Sequence, residues 1–149
     1  VATVANEGRL MKPYIVQRIV DGQRKVNVKP TVVRRAISAE TATTLTGMLV
    51  EALTRADSRA QLPGYKVAGK TGTAQIPVPG GYHPTLTLTS FAGYLPADDP
   101  RVLVLVIIDR PVTSKWGSQT AAPTFTRIAE QLVVMLDIPP DDVRLAMGE

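Results

Sequence analysis

The chain has 149 residues, 44% hydrophobic and 20% charged, with a formal charge of +4. This is enough for one ordinary soluble domain with a real core. It has no cysteine, which excludes disulfides and cysteine-built metal sites.

The positive residues read as scattered, and the few aromatics are not interleaved with them, so a nucleic-acid platform is not expected. A solvated surface accounts for the charge. The single His83 lies among Gly80, Gly81 and Pro84 without a carboxylate cluster, and reads as a surface residue rather than a ligand. Nothing suggests a metal or an organic cofactor. No apolar run approaches the ~20 residues of a membrane span.

Val1 to Gly8 reads as the end of a helix with Gly8 as its stop, which marks the chain as a piece of a longer protein. Pro13–Val20 and Gln23–Lys29 flank the turn signal Asp21-Gly22 and form a surface hairpin that Pro30 ends. Ser38 then caps a helix whose apolar stripe runs through Ala42, Leu45, Met48, Leu49, Ala52 and Leu53 to about residue 56. That stripe is expected to be core. Asp57-Ser58-Arg59 breaks the pattern, and Leu62-Pro63-Gly64-Tyr65 fits a turn with Pro second and Gly third.

The turn delivers the chain into Lys66-Val67-Ala68-Gly69-Lys70-Thr71-Gly72-Thr73-Ala74-Gln75. This run reads as a strand that surrenders packing side chains at its glycines while keeping hydroxyls and an ammonium. Two readings stand side by side: a strand built to hold a polar, anionic substrate, or a glycine-weakened edge with solvated Lys and Thr.

Pro77, Pro79, Gly80, Gly81 and Pro84 make a stretch expected to be neither helix nor sheet. Thr85–Thr89 alternates and continues through Leu95 as a strand. Pro96–Pro100 is a tight connection to an antiparallel partner. That partner, Val102–Ile108, is seven apolar residues long, as expected of a central strand covered on both faces. At roughly 1.5–3 kcal/mol per buried aliphatic side chain, it is the largest single contribution to the core. A loop from Asp109 to Gln119 carries Lys115, Trp116 and Gly117. Pro123 opens a closing helix with Phe125, Ile128, Ala129, Leu132, Val133 and Leu136 on one face, and Pro139-Pro140 stops it. Residues 1–140 thus form the domain portion, and 141–149, without periodicity, a mobile tail. The fold class is α+β: three antiparallel strands with a preceding and a C-terminal helix.

Ala68-Gly69-Lys70-Thr71-Gly72-Thr73-Ala74-Gln75 resembles the third signature motif of penicillin-binding proteins, which accompanies Ser-x-x-Lys and Ser-x-Asn elements. Ser90–Pro100, Trp116–Phe125 and Ala5-Asn6-Glu7-Gly8 with Lys12-Pro13 resemble flanking segments of that family, so the similarity runs nearly to Pro140. The loop before Ser90 is closer to class B transpeptidases of the division or sporulation type. The fold implied is an incomplete penicillin-binding-protein transpeptidase, or serine β-lactamase-like, fold.

The resemblance implies acyl transfer on peptidoglycan stem peptides: a serine attacks the D-Ala-D-Ala bond, and a neighbouring amine resolves the acyl-enzyme. β-Lactams trap that intermediate. In this chain Thr71 and Thr73 would grip the substrate carboxylate, Lys70 would add positive charge and assist proton transfer, and the Thr73 N–H would be one oxyanion donor. Gly72 would leave room for a facing helical lobe, and Gly69 would ease the same approach. No Ser here is followed three residues later by Lys, and no Ser-x-Asn occurs. The nucleophile, its base and two strands of the family's sheet are therefore expected in a missing N-terminal part of the same domain. One of those strands normally pairs with the counterpart of Val102–Ile108, so that in this chain alone Val102–Ile108 is expected as an exposed, unpaired edge. The resemblance also implies the extracytoplasmic membrane face, an N-terminal anchor, and partners such as a membrane glycan polymerase and divisome proteins. A fragment of a serine β-lactamase, of a D,D-carboxypeptidase or of a non-catalytic β-lactam sensor remains the alternative.

Overall fold

The computed structural model describes residues 1–55 and 59–147. The Asp57-Ser58 part of the expected helix break and the end of the expected tail, 148–149, lie outside the described residues.

The core is a three-stranded antiparallel sheet in the order β5 (Ala68–Val78), β6 (Gly81–Leu95), β7 (Val102–Asp109). Alternation along β6 divides it into two faces. Phe91 and Leu95 lie, with no exposure, under the helix α3 (Ala121–Met135), whose Phe125, Ala129 and Val133 they meet. The rings of Phe91 and Phe125 are 4.6 Å apart, centroid to centroid, a contact worth ~0.5–1.5 kcal/mol beyond its area. On the other face Tyr94 and Ala68 pack with Leu49 and Val50 of α2 (Ala39–Arg55), and the Tyr94 hydroxyl lies 2.6 Å from Thr46 Oγ1. Burial raises the Tyr94 pKa, partly offset by that hydrogen bond.

Ser38 caps α2 as expected, accepting the Thr41 N–H at 3.0 Å. The turn at Leu62–Tyr65 also forms as expected, with Tyr65 N–H donating to the Leu62 carbonyl and Gly64 at φ 83°. The helix α1 (Ala2–Ala5) ends in a Schellman arrangement: Gly8 N–H reaches the Thr3 carbonyl and Glu7 N–H the Val4 carbonyl. Glu7, at φ 53°, is the left-handed residue preceding Gly8.

Several expectations need correction. Residues 77–84 are not a loop. The prolines sit in a hairpin extension of β5 and β6 that turns at Pro79-Gly80, and a register shift between Gln75 and Pro77 accommodates them. His83 serves this irregular stretch, its Nδ1 accepting the N–H groups of Thr85 and Leu86. The expected surface hairpin is shorter, β2 (Arg18–Asp21) with β3 (Arg24–Asn27). A second small pairing, β1 (Arg9–Met11) with β4 (Val32–Arg35), has no counterpart among the elements expected from the sequence.

The apolar stripe of α2 is only partly core: Ala42 and Leu53 are buried, while Met48 is 60% exposed and Leu45 also lies open. β7 likewise is covered on one face only. Val106 is buried under α3, whereas Leu103, Leu105 and Ile107 on the α2 side are exposed, because α2 packs against β5 and does not extend over β7. Last in the order of the sheet, β7 is an edge strand here, as expected for this chain without the family's missing strands.

Residues 141–147 do not trail off as a tail but form a short helix, α4 (Asp141–Met147). Asp141 Oδ2 accepts the Lys66 N–H at 2.7 Å, and Arg144 Nη2 spans both carboxylate oxygens of Asp98 at 2.6 and 2.7 Å. The Tyr65 hydroxyl donates to the Ile138 carbonyl at 2.7 Å. Burial, then the nearby Asp141 carboxylate, push the Tyr65 pKa up. These contacts tie the C-terminal segment to the turn that feeds β5.

Candidate active-site wall

Among the described residues β5 has β6 on one side and an open edge on the other. Which backbone groups reach that edge follows from the register. The Thr87 carbonyl accepts the Arg110 N–H beyond β7, so odd-numbered β6 residues from Thr87 point their backbone groups towards β7. Even-numbered ones point to β5, where Ser90 faces Gly72 and Ala92 faces Lys70. Lys70 and Gly72 therefore spend their backbone groups on β6. Thr71 and Thr73 present N–H and C=O at the free edge.

The side chains add to this. Lys70 is exposed, and its ammonium curls back to the free edge, donating to the Thr71 carbonyl at 3.0 Å and lying 3.4 Å from Thr71 Oγ1. Thr71 is half-buried and Thr73 exposed. Thr73 Oγ1 accepts the Gly117 N–H at 3.2 Å. A hydroxyl held as an acceptor retains its own proton to donate, so Thr73 is oriented and still able to bind an anion. The four expected residues, Lys70, Thr71, Gly72 and Thr73, thus form one continuous edge carrying an ammonium, two hydroxyls and two free N–H groups.

Sequence reasoning assigned no site role to the loop that completes this edge. Residues 113–120 lie across β5 and β6, stitched down by threonines. Thr87 Oγ1 donates to the Lys115 carbonyl, and the buried Thr120 hydroxyl bonds Thr89 Oγ1 at 3.0 Å and the Trp116 carbonyl at 2.9 Å. Ser114 and Gln119 close the loop through a 2.6 Å side-chain bond. Only glycine fits at 117: a Cβ there would lie 2.6 Å from the Gly72 carbonyl oxygen and 2.9 Å from that of Ser90. Trp116 stays half exposed beside the edge, with Lys115 Nζ 5.2 Å from its ring centre. The available signal was the Trp-Gly pair placed just before the entry of the closing helix.

The glycines of the strand differ in what they do. Gly69 is buried, and a Cβ there would lie 2.7 Å from Phe91 Cζ and 2.9 Å from the Ala92 carbonyl oxygen. It makes room for the chain's own core rather than for the approach of another lobe. A Cβ on Gly72 would meet Ser90 Oγ, on the face of the sheet opposite α3. Among the described residues no group of three or more His, Asp or Glu is placed to hold a metal ion.

An α+β sheet with helices on both faces and an edge strand carrying Lys-Thr-Gly-Thr is the arrangement of the penicillin-recognising class of folds. The chain belongs to the penicillin-binding protein transpeptidase domain family, whose model matches residues 1–130. It is 35% identical over 145 residues to stage V sporulation protein D of Bacillus subtilis, covering 94% of this chain and 22% of that protein. It is also 36% identical to penicillin-binding protein PbpB of Mycolicibacterium smegmatis, covering 92% of this chain and 23% of that one. Among solved structures, penicillin-binding protein 3 of Mycobacterium tuberculosis complexed with ampicillin superposes with a TM-score of 0.82 at 32% identity, covering 93% of this chain and 33% of that one. The chain therefore spans about a quarter of the length of these curated relatives.

Proposed function

We propose that this chain supplies the substrate-binding wall of a peptidoglycan D,D-transpeptidase and takes part in binding β-lactams. The observation that carries this reading is the Thr73 hydroxyl held by the Gly117 N–H on an open strand edge beside the Lys70 ammonium. Thr71 and Thr73 receive the carboxylate of a D-Ala-D-Ala stem peptide or of a β-lactam. Lys70 favours that anion and assists proton transfer around the nucleophile. The Thr73 N–H, at the free edge, serves as one of two oxyanion donors. Gly72 keeps that side of the strand low for the opposing lobe.

The serine and its lysine partner come from polypeptide outside these 149 residues, because neither Ser-x-x-Lys nor Ser-x-Asn occurs within them. The complete protein works at the extracytoplasmic face of the membrane, alongside a membrane glycan polymerase and divisome proteins. None of the described helices is long and apolar enough to cross a membrane.

The test uses a fluorescent penicillin on the purified 149-residue chain and on the longer polypeptide that carries it. The expected result is no covalent label on the former and a label on the latter. In the longer form Thr73→Val is expected to slow acylation about tenfold or more, with Thr73→Ser close to the parent. Label on the isolated chain, or unchanged acylation in Thr73→Val, would overturn the assignment. Release of the acyl group by an added amine in preference to water distinguishes a transpeptidase from a β-lactamase.

A further inference from the structure

The positive charge that reads as scattered is concentrated. Eight of the chain's 17 Lys and Arg fall between residues 9 and 35, against Asp21 as the single acidic residue of that stretch. Its most projecting part is the β2–β3 hairpin. Every residue of both strands is exposed, although an isolated two-stranded hairpin is at best marginally stable in water. Among the described residues Arg24, Lys25 and Lys29 make no ion pair.

The register gives the hairpin one face of Arg18, Val20, Lys25 and Asn27 and another of Ile19 and Val26 that ends, at the turn, in the Asp21–Arg24 pair. Arg18 pairs with Asn27 and Val20 with Lys25, which puts both cations on one face. Arg18 Nε is held by Asn27 Oδ1 at 2.9 Å, and its terminal nitrogens have no partner among the described residues. Ile19 pairs with Val26 on the other face, 53% and 40% exposed. In this two-stranded sheet the outer edge of β3 has no neighbour among the described residues, so its backbone groups are open to a third strand.

We propose that β3 is a docking edge for an extended, acidic segment of a partner protein, which adds to the hairpin as a third strand. A strand alternating acidic and apolar residues meets both faces at once. Its carboxylates lie along Lys25 and the Arg18 guanidinium that Asn27 draws towards β3. Its aliphatic side chains lie along Val26, with Ile19 extending the apolar surface one strand further in, while backbone hydrogen bonds along β3 supply the pairing. The apolar face argues for a protein over a polysaccharide, which needs the cations only. This inference does not depend on the transpeptidase reading.

The experiment measures the fluorescence anisotropy of a labelled twelve-residue peptide of alternating Glu and Val on the 149-residue chain and on the longer polypeptide. A Glu/Ser peptide and heparin are the comparators. Expected are saturable binding of the Glu/Val peptide in both proteins, at least roughly tenfold weaker binding of Glu/Ser, and marked weakening by salt. Lys25→Glu is expected to raise Kd roughly tenfold and Arg24→Gln less, with circular dichroism unchanged in both. Equal affinity for Glu/Ser or heparin would make the hairpin a general polyanion site and overturn the proposal. So would absence of binding, or binding insensitive to Lys25→Glu. Binding to the isolated chain but not to the longer polypeptide would show the hairpin covered by its own protein, which also overturns it.

Discussion

The Gly117 N–H donates to Thr73 Oγ1 across 44 residues of sequence, fixing the hydroxyl at the end of the Lys-Thr-Gly edge. The contact requires the Trp116–Gly117 backbone to lie almost on the sheet. Gly117→Ala puts a methyl group 2.6 Å from the Gly72 carbonyl oxygen and 2.9 Å from that of Ser90. Both are main-chain atoms that cannot swing away, so the loop lifts. The expected loss is about 1–3 kcal/mol of stability, measured by urea denaturation, together with slower acylation in the longer polypeptide. A Gly117→Ala protein with parental stability and acylation would contradict the close approach as the reason for glycine.

Acid is expected to loosen the C-terminal clamp. The hydrogen bond from Arg144 holds the Asp98 carboxyl below its ordinary value of 3.8, and the same contact raises the Arg144 pKa. Because the folded pKa is the depressed one, the stabilisation is fully present above pH 3.8 and is lost as pH falls below it through the folded value. Arg144→Met is expected to cost about 1 kcal/mol at neutral pH, allowing for solvent around the half-exposed Asp98. The gap between variant and parent should close below pH 3.8. Urea midpoints of both proteins measured across pH 3 to 7 check it. A gap that stays constant would assign the cost to packing instead of charge.

Glu7 occupies a left-handed position, φ 53°, at the end of α1. Non-glycine residues there lose roughly 1–2 kcal/mol to contact between Cβ and backbone. Its side chain recovers little, since the 2.8 Å ion pair to Arg9 is solvent-exposed. Glu7→Gly is therefore expected to raise stability by about 0.5–1 kcal/mol once the extra freedom of the unfolded glycine is counted. Glu7→Val should lower it. Thermal midpoints of the two variants shift in opposite directions if backbone strain is the cause.

These sites show what was legible in the sequence. Local chemistry was: Ser38 as a cap, Pro63-Gly64 as a turn, and Lys70 to Thr73 as a polar strand needed only neighbouring residues to identify them. The Gly117–Thr73 bond was not, because no local pattern links a loop glycine to a strand threonine. The β1–β4 pairing escaped because strands of three and four largely exposed residues leave no periodic signal. The prolines at 77 and 84 read as breakers, although Pro77 lies on the edge strand β5 at the register shift and Pro84 falls in the 83–86 stretch of β6 that has no ladder partner, so neither missing N–H breaks the pairing. The seven apolar residues of β7 suggested burial on both faces. Composition cannot say whether the covering element lies within the same 149 residues.

Leu105 and Ile107, 57% and 56% exposed, stand on the face of β7 that no described helix of this chain covers, and the outer edge of β7 is unpaired among the described residues. An apolar strand with a bare edge and a bare face is a template for self-association. In the 149-residue chain Leu105→Lys removes no buried contact, and its charge opposes strand pairing between copies. It should raise the soluble, monomeric fraction with little change in stability. In the longer polypeptide the reading of this chain as one wall of a larger domain makes the same face an interior. There the lysine is expected to cost about 2 kcal/mol or more, since an ammonium is forced into an apolar contact. Light scattering on the short form and urea denaturation on the long form should thus report a gain and a loss from one substitution. If Leu105→Lys is neutral in both, β7 is a true outer edge of the protein and nothing further packs on it.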